Sequence, residues 1–157
     1  MSEIRTRAIE GLKVGDTFTV KRTFSSEDVN SFADITRDYN PVHFDERFTS
    51  EKKFNGRICH GLLVGSMLTE IGGQIGWLAS RMDFRFKRPV YFGDTITCSF
   101  TIVEIDSKGK TKASAVYHNQ EGHKVLEGDL YGLLPGSGEK KVMHAMQAEG
   151  DPTNKII

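Results

Sequence analysis

Cysteine is scarce in this chain: the two that occur, Cys59 and Cys98, stand in differently patterned segments with no C-x-x-C spacing. That argues against both a disulfide framework and a zinc site. Net charge is absent as well. Twenty-one Lys and Arg balance twenty-one Asp and Glu, so no field over the whole molecule draws in nucleic acid or an anionic membrane, and any basic function has to be local. No run of about 18 apolar residues occurs, and the N-terminal "MSEIRTRAIEGLKVGD" carries no apolar stretch. Neither a membrane span nor an export signal is therefore expected, and the chain reads as cytoplasmic with reduced thiols.

A chain of 157 residues is long enough to bury about two thirds of its unfolded surface around one core. "DTFTVKRTF" sets Phe18, Val20 and Phe24 among polar residues, an imperfect alternation that suits a half-buried strand. "SSEDVNSFADI" places Ser25 and Asp28 in capping-box spacing and Val29, Phe32 and Ala33 at i, i+3, i+4, the signature of a short helix that must stop before Pro41. Residues 45–57 read as an irregular charged loop. "HGLLVGSMLTEIGGQIGWLA", residues 60–79, is apolar on nearly all sides and predicts a helix buried on most of its surface. Its glycines each disfavour helix by roughly 1 kcal/mol relative to alanine, so something approaches that backbone closely or the last of them end it.

Beyond residue 80 the period changes to two. Met82, Phe84 and Phe86 alternate with Arg81, Asp83, Arg85 and Lys87. Ile96, Cys98, Phe100 and Ile102 alternate with threonines and Ser99. Two more strands follow, joined by a hairpin turn at residues 119–122. One buried helix followed by long amphipathic strands implies an α+β fold in which an antiparallel sheet wraps around that long central helix. Residues 1–135 are expected to form one domain and residues 136–157 a polar C-terminal tail without core pattern. The three Phe residues Phe84, Phe86 and Phe100 are expected in the core first, and as pocket walls only second.

The chemistry-bearing stretch is "RDYNPVHFD", residues 37–45, which packs Asp38, Asn40, Pro41 and His43 into six residues. Taken alone it is a turn, since Asn-Pro initiates turns and a loop histidine is usually just exposed. Two features favour a site. Pro41 removes a donor and fixes one dihedral, holding Asp38 and His43 on a rigid turn. The apolar helix opens with His60-Gly61, where unpaired N–H groups face outward.

"FADITRDYNPVHFD", "FNGRICHGLLVGSMLTEIGG" and "FKRPVYFGD" together resemble the MaoC-like, (R)-specific enoyl-CoA hydratase family. The shared features are the D-x-N-P-x-H motif, the H-G opening of the central helix and the F-x-x-P-V-x-x-G-D strand start, in family order. The resemblance implies a hot dog fold, a homodimer with sites near the subunit interface, and an acyl-CoA or acyl-carrier-protein thioester as substrate. It places the catalytic pair on Asp38 and His43 and the oxyanion donor on the Gly61 N–H, with substrate contacts at Asn40 and Thr69. Arg85 and Lys87, with Arg88, are further candidates for contact with coenzyme A phosphates, although three basic residues near a strand end are more often a solvated edge. One departure is Arg37, which stands where the family carries glycine; it either strains the loop or reaches a substrate phosphate or carboxylate.

Adding water across the C2=C3 bond of an enoyl thioester needs a base for the water, an acid for C2 and a donor for the enolate-like oxygen. Asp38 is assigned as base and His43 as acid, a partition that a coupled pair can reverse. No metal or redox cofactor is called for. The expected activity is an (R)-specific enoyl-CoA hydratase, a hydro-lyase of fatty acid metabolism. A thioesterase and a non-catalytic acyl-CoA-binding protein of the same fold are the alternatives.

Overall fold

Each period-two segment pairs into one antiparallel sheet. The computed structural model describes residues 2–156, and its strands are β1 (Thr17–Thr23), β2 (Leu78–Phe86), β3 (Thr95–Ile105), β4 (Lys110–His118) and β5 (Lys124–Leu133). Their order is β1-β3-β4-β5-β2. In β3 the expected inward set, Ile96, Cys98, Phe100 and Ile102, is fully buried, and a one-residue slip would turn all four to solvent. The β4–β5 hairpin closes where expected, the Gly122 N–H donating to the Asn119 carbonyl at 3.0 Å.

Against the buried face lies the apolar helix, in two pieces: α4 (Gly61–Gly65) and α5 (Met67–Ile75), with helices α1 (Glu3–Glu10), α2 (Ser26–Thr36) and α3 (Glu46–Glu51) before them and α6 (Ser137–Ala148) after the sheet. The step at Ser66 is a tightened turn in which the Thr69 N–H reaches back three residues to the Ser66 carbonyl at 2.9 Å. Val64, Met67, Leu68, Ile71 and Ile75 join the strand residues in a single core. The Tyr117 hydroxyl on β4 donates to the Gly65 carbonyl at 2.7 Å, tying sheet to helix beside the step. Gly76, at φ 74°, ends α5 in the left-handed conformation that glycine adopts without penalty.

The helix is shorter than the sequence suggests and is not covered all round. Leu62, Ser66, Thr69 and Gly73 form an exposed stripe at helical spacing, with Leu62 61% exposed. The apolar face of β2 is open too: Met82 is 39% and Phe86 57% exposed. Phe86 is therefore not a core residue, unlike Phe100. The reason is position, since β2 is an edge strand with no further strand pairing beyond it among the described residues. Phe84 reaches a half-buried place against α4.

Three helices were not legible as helices. α1 and α3 arise in stretches read as a polar start and an irregular loop, each set by its cap: the Ser2 hydroxyl accepts the Arg5 N–H, and Asp45 accepts the Arg47 N–H at 2.9 Å. The third corrects the expectation of a patternless tail. The Gly136 N–H donates to the Glu139 carboxylate at 2.7 Å and starts α6, whose Met143 packs against the core. Residues after α6 are anchored as well. Arg5 donates through Nη1 to both oxygens of Asp151 at 2.9 and 2.7 Å. The same guanidinium donates to the carbonyls of Gln74 at 3.3 Å and Gly73 at 3.2 Å, which are among the last carbonyls of α5, the latter also accepting the Gly76 N–H at 3.3 Å. The side-chain amides of Gln74 and Asn154 exchange bonds of 3.0 and 2.9 Å.

Arg5 thus joins α1, α5 and the C-terminal segment in one side chain, and both it and Asp151 are largely buried. Arg5→Ala is expected to cost about 3 kcal/mol by leaving Asp151 unpaired, lowering Tm by roughly 6–12 °C for a domain of this size. Thermal melting checks it; an unchanged Tm would mean the C-terminal segment contributes nothing to the fold.

Candidate active site

The motif loop is built by the end of α2. The Ser25–Asp28 capping box forms as expected, the Ser25 N–H donating to Asp28 at 2.7 Å and the Asp28 N–H to Ser25 at 3.2 Å. The helix ends on Arg37 in the left-handed region, φ 63° and ψ 20°, with its N–H on the Ala33 carbonyl. The position where the resemblance expects glycine does require positive φ, so arginine adopts the glycine backbone here at a strain cost on the order of 1 kcal/mol.

After Arg37 the chain turns on its own side chains. Asp38 accepts the Asn40 N–H at 3.2 Å, and the Asn40 side-chain oxygen accepts the Val42 N–H at 3.1 Å. Pro41–His43 then make one 3₁₀ turn. Asn40 is exposed and is spent on this turn, so its role is to shape the loop rather than to line a pocket. His43 is buried, and its Nδ1 lies 2.7 Å from the Ile58 carbonyl. A carbonyl only accepts, so Nδ1 carries the proton and Nε2 is left with its lone pair. That Nε2 lies 3.8 Å from Asp38 Oδ2, whose side chain is 49% exposed.

A second segment, residues 58–60, completes the arrangement. The Cys59 N–H donates to the Val90 carbonyl at 2.7 Å, and His60 Nε2 lies 2.9 Å from the Asp38 carbonyl, to which it donates by the same reasoning. The His60 ring stacks on His43 with centroids 3.8 Å apart and planes 28° apart. Sequence reading used His60 only as a marker for Gly61 and missed these contacts, which join it to His43, 17 positions away, by stacking and to Asp38, 22 positions away, through a backbone carbonyl. Gly61 follows at the start of α4, where the first intrahelical bond is from the Val64 N–H to the His60 carbonyl; its own N–H precedes that ladder. A Cβ on Gly61 would lie 2.5 Å from the Phe86 ring, so close approach of the edge strand requires glycine.

Asp38, His43, His60 and Gly61 share one cavity of about 750 Å³. Its inner wall is apolar, with Phe32, Val64 and Leu126, while Lys87 and Arg88 stand among its lining residues. The other substrate-contact expectations fall elsewhere. Thr69 is on the exposed stripe, its hydroxyl donating to the Ser66 carbonyl. Arg85 is engaged by Glu127 at 3.1 Å and Asp129 at 3.2 Å and does not line the cavity. Lys87 does line it, while keeping Glu127 at 3.4 Å.

Asp38, His43 and His60 also offer three donor atoms within 4.8 Å. They do not suit a chelate. Stacked imidazole planes 28° apart meet far beyond a metal–nitrogen bond of about 2 Å, so their in-plane lone pairs do not converge on one ion. The electrostatics suit proton transfer instead. Burial pushes the His43 pKa below the ordinary 6.5, the Ile58 carbonyl pulls it up, His60 lowers it and Asp38 raises it. The net effect keeps the ring neutral at neutral pH.

Residues 12–123 match the family model described as MaoC like domain. A mitochondrial 3-hydroxyacyl-[acyl-carrier-protein] dehydratase of Arabidopsis thaliana is 34% identical over 130 residues, 79% of this chain and 78% of that protein. An (R)-specific enoyl-CoA hydratase of Rhodospirillum rubrum is 28% identical over 133 residues, 82% of this chain and 92% of that protein. Among solved structures, the (R)-hydratase from A. caviae superposes with TM-score 0.75 at 27% identity, covering 80% of this chain and 99% of that one.

The cavity wall includes Cys59, whose thiol burial pushes up to about 12, with Asp94 and Asp28 adding to the shift. Burial likewise pushes the Cys98 thiol up to about 11. At pH 8 both are then overwhelmingly thiols rather than reactive thiolates. Folded protein treated with a disulfide-exchange reagent at pH 8 is expected to release no colour within minutes, and two equivalents after denaturation. Prompt labelling of Cys59 in the folded state would show that the wall opens.

Proposed function

The chain belongs to the MaoC-like dehydratase family, hot dog hydro-lyases, and on that premise we propose that it interconverts a trans-2-enoyl-CoA and its (R)-3-hydroxyacyl-CoA. The observation that carries the reading is the pair His43 Nε2 and Asp38 Oδ2, 3.8 Å apart in a cavity that also holds Gly61. A gap of that size suits one water accepted by both groups. The alternative carrier is an acyl carrier protein, favoured by the 34% identity to the plant dehydratase.

The chemistry follows from the tautomer. With Nδ1–H held on Ile58, Nε2 is the only position at which His43 exchanges a proton. As the water oxygen bonds to C3, the C2=C3 electron pair moves into an enolate, and one water proton passes to the Asp38/His43 pair. The Gly61 N–H supports the negative oxygen of the enolate. The imidazolium then gives a proton to C2, and the second water hydrogen remains as the 3-hydroxyl. Asp38 takes the proton from water and passes it to His43 Nε2, and the carboxylate so restored holds the imidazolium, so base and acid act as one coupled pair. Every group in this scheme is a side chain or main-chain amide, so no metal or redox cofactor enters it. Lys87 and Arg88 offer charge to the carrier's phosphates, and the apolar wall takes the acyl chain.

The same reading includes a homodimer. Leu62, Met82 and Phe86 are exposed apolar residues beside the cavity, and β2 is an unpaired edge, a combination that a second copy would cover. Two buried thiols suit a reducing, cytoplasmic setting. Light scattering is expected to give a dimer or a multiple of it; an active monomer at assay concentration would remove this part.

Asp38→Asn and His43→Gln are each expected to cut kcat for hydration of crotonyl-CoA or a longer enoyl-CoA by roughly 10² to 10⁴. The double variant should be hardly worse than the poorer single one, because the pair acts as a unit. Since the His43 pKa lies below 6.5, kcat/KM of the native enzyme should hold through neutrality and fall only below that pH as Nε2 protonates. A full-rate Asp38→Asn enzyme, or thiol release without hydration, would replace the hydratase by a thioesterase or a binding protein.

A further inference from the structure

We propose that His60 is a positioning residue of this site: it fixes the Asp38 main chain through Nε2–H and, by stacking on His43, holds the plane of that imidazole. The inference rests on the hydratase reading for its catalytic meaning, but its geometry stands independently. His60 is 2% exposed, and its Nδ1 has no hydrogen-bond partner among the described residues. Burying a lone pair without a donor is unfavourable, and a phenylalanine of similar shape would avoid it. Space-filling therefore does not account for a histidine here. What a phenyl ring could not supply is the bond to the Asp38 carbonyl at 2.9 Å.

That bond acts where the loop has least other support. The Asp38 side chain is half exposed, and the residue before it sits in a strained left-handed conformation. Holding the Asp38 carbonyl sets the origin from which its carboxylate reaches the shared water. The stacking acts on the other partner. Among the described residues, the titratable groups facing His43 are Asp38 at 3.8 Å and His60 at 3.8 Å between ring centroids; Ile58 presents a carbonyl and Phe44 an aromatic edge at 6.4 Å. Phe32, 5.0 Å from His60 on centroids, closes the stack from the other side. The two histidines thus divide the work: one moves the proton, and the other holds the ring and the main chain that receive it.

The test uses the full-length protein with His60→Gln and His60→Phe, read by kinetics and by the backbone amide resonances of Asp38 and Tyr39. His60→Gln keeps an N–H for the Asp38 carbonyl, and its kcat should stay within about tenfold of native. His60→Phe loses the donor and should drop kcat by roughly 10²-fold with KM little changed. If it fails to fold, His60→Met, likewise without a donor, takes its place. A folded variant without the donor that keeps native kcat overturns the proposal, and so does a loss of the same size in His60→Gln. If the native protein hydrates no enoyl thioester the hydratase reading fails, while amide resonances that move in the Phe and not in the Gln variant leave the positioning of Asp38 standing.

Discussion

Everything at this site depends on a lacing of two short segments through backbone carbonyls. The Ile58 N–H reaches the Val42 carbonyl at 3.3 Å, His43 Nδ1–H returns to the Ile58 carbonyl at 2.7 Å, and His60 Nε2–H takes the Asp38 carbonyl at 2.9 Å. The Cys59 N–H, on the Val90 carbonyl at 2.7 Å, fastens the second segment to the approach to β3. Each bond stabilises by only about 1 kcal/mol net, yet leaving a buried partner unmade costs about 1–3 kcal/mol. The segments are therefore ordered together or not at all. Because both imidazoles are anchored to main chain, their ring orientations and tautomers are set before any substrate arrives.

The strands were legible because period two needs only a covered face to become structure, as with Ile96 to Ile102. The capping box at Ser25 and the turn at residues 119–122 were legible because their signals are local. The short helices were not. α6 carries Val142 and Met143 among charges, too sparse a stripe to stand out, and its place is fixed by Met143 and by the distant pair of Arg5 and Asp151. Within the site, Asp38, His43 and Gly61 lie in local motifs and the structure brings them to one cavity. The Asn40 side chain closes the turn. Thr69 and Arg85 lie away from the cavity, because facing direction on a helix stripe and ion pairing across strands are tertiary facts that a single sequence does not display.

Arg37 separates the shape of the loop from the identity of the residue that makes it. The left-handed turn follows from the end of α2, where the Arg37 N–H closes on the Ala33 carbonyl at 2.7 Å, and from the Tyr39 N–H on the Arg37 carbonyl at 3.2 Å. Glycine would adopt that turn without strain. With arginine the turn persists, because the flanking helix and the laced segment together contribute more than the roughly 1 kcal/mol that a side chain loses at positive φ. Arginine at this position adds an exposed cation next to Asp38 in sequence.

The open side of the cavity and the uncovered apolar surfaces are two aspects of one feature. A Cβ on Gly61 would lie 2.5 Å from the Phe86 ring, yet Phe86 is itself 57% exposed. The edge strand therefore comes close enough to shape the Gly61 corner of the cavity without sealing it. An enolate-forming step gains most from its donors where bulk water is excluded, and a carboxylate that is 49% exposed is not in such a place. Whatever covers Leu62, Met82 and Phe86 would also narrow the approach to Asp38, strengthening the field of the Gly61 N–H and the coupling of Asp38 to His43. Stability and chemistry would then be served by the same act of burial, which explains how an edge strand with so much exposed apolar surface can be part of a working site.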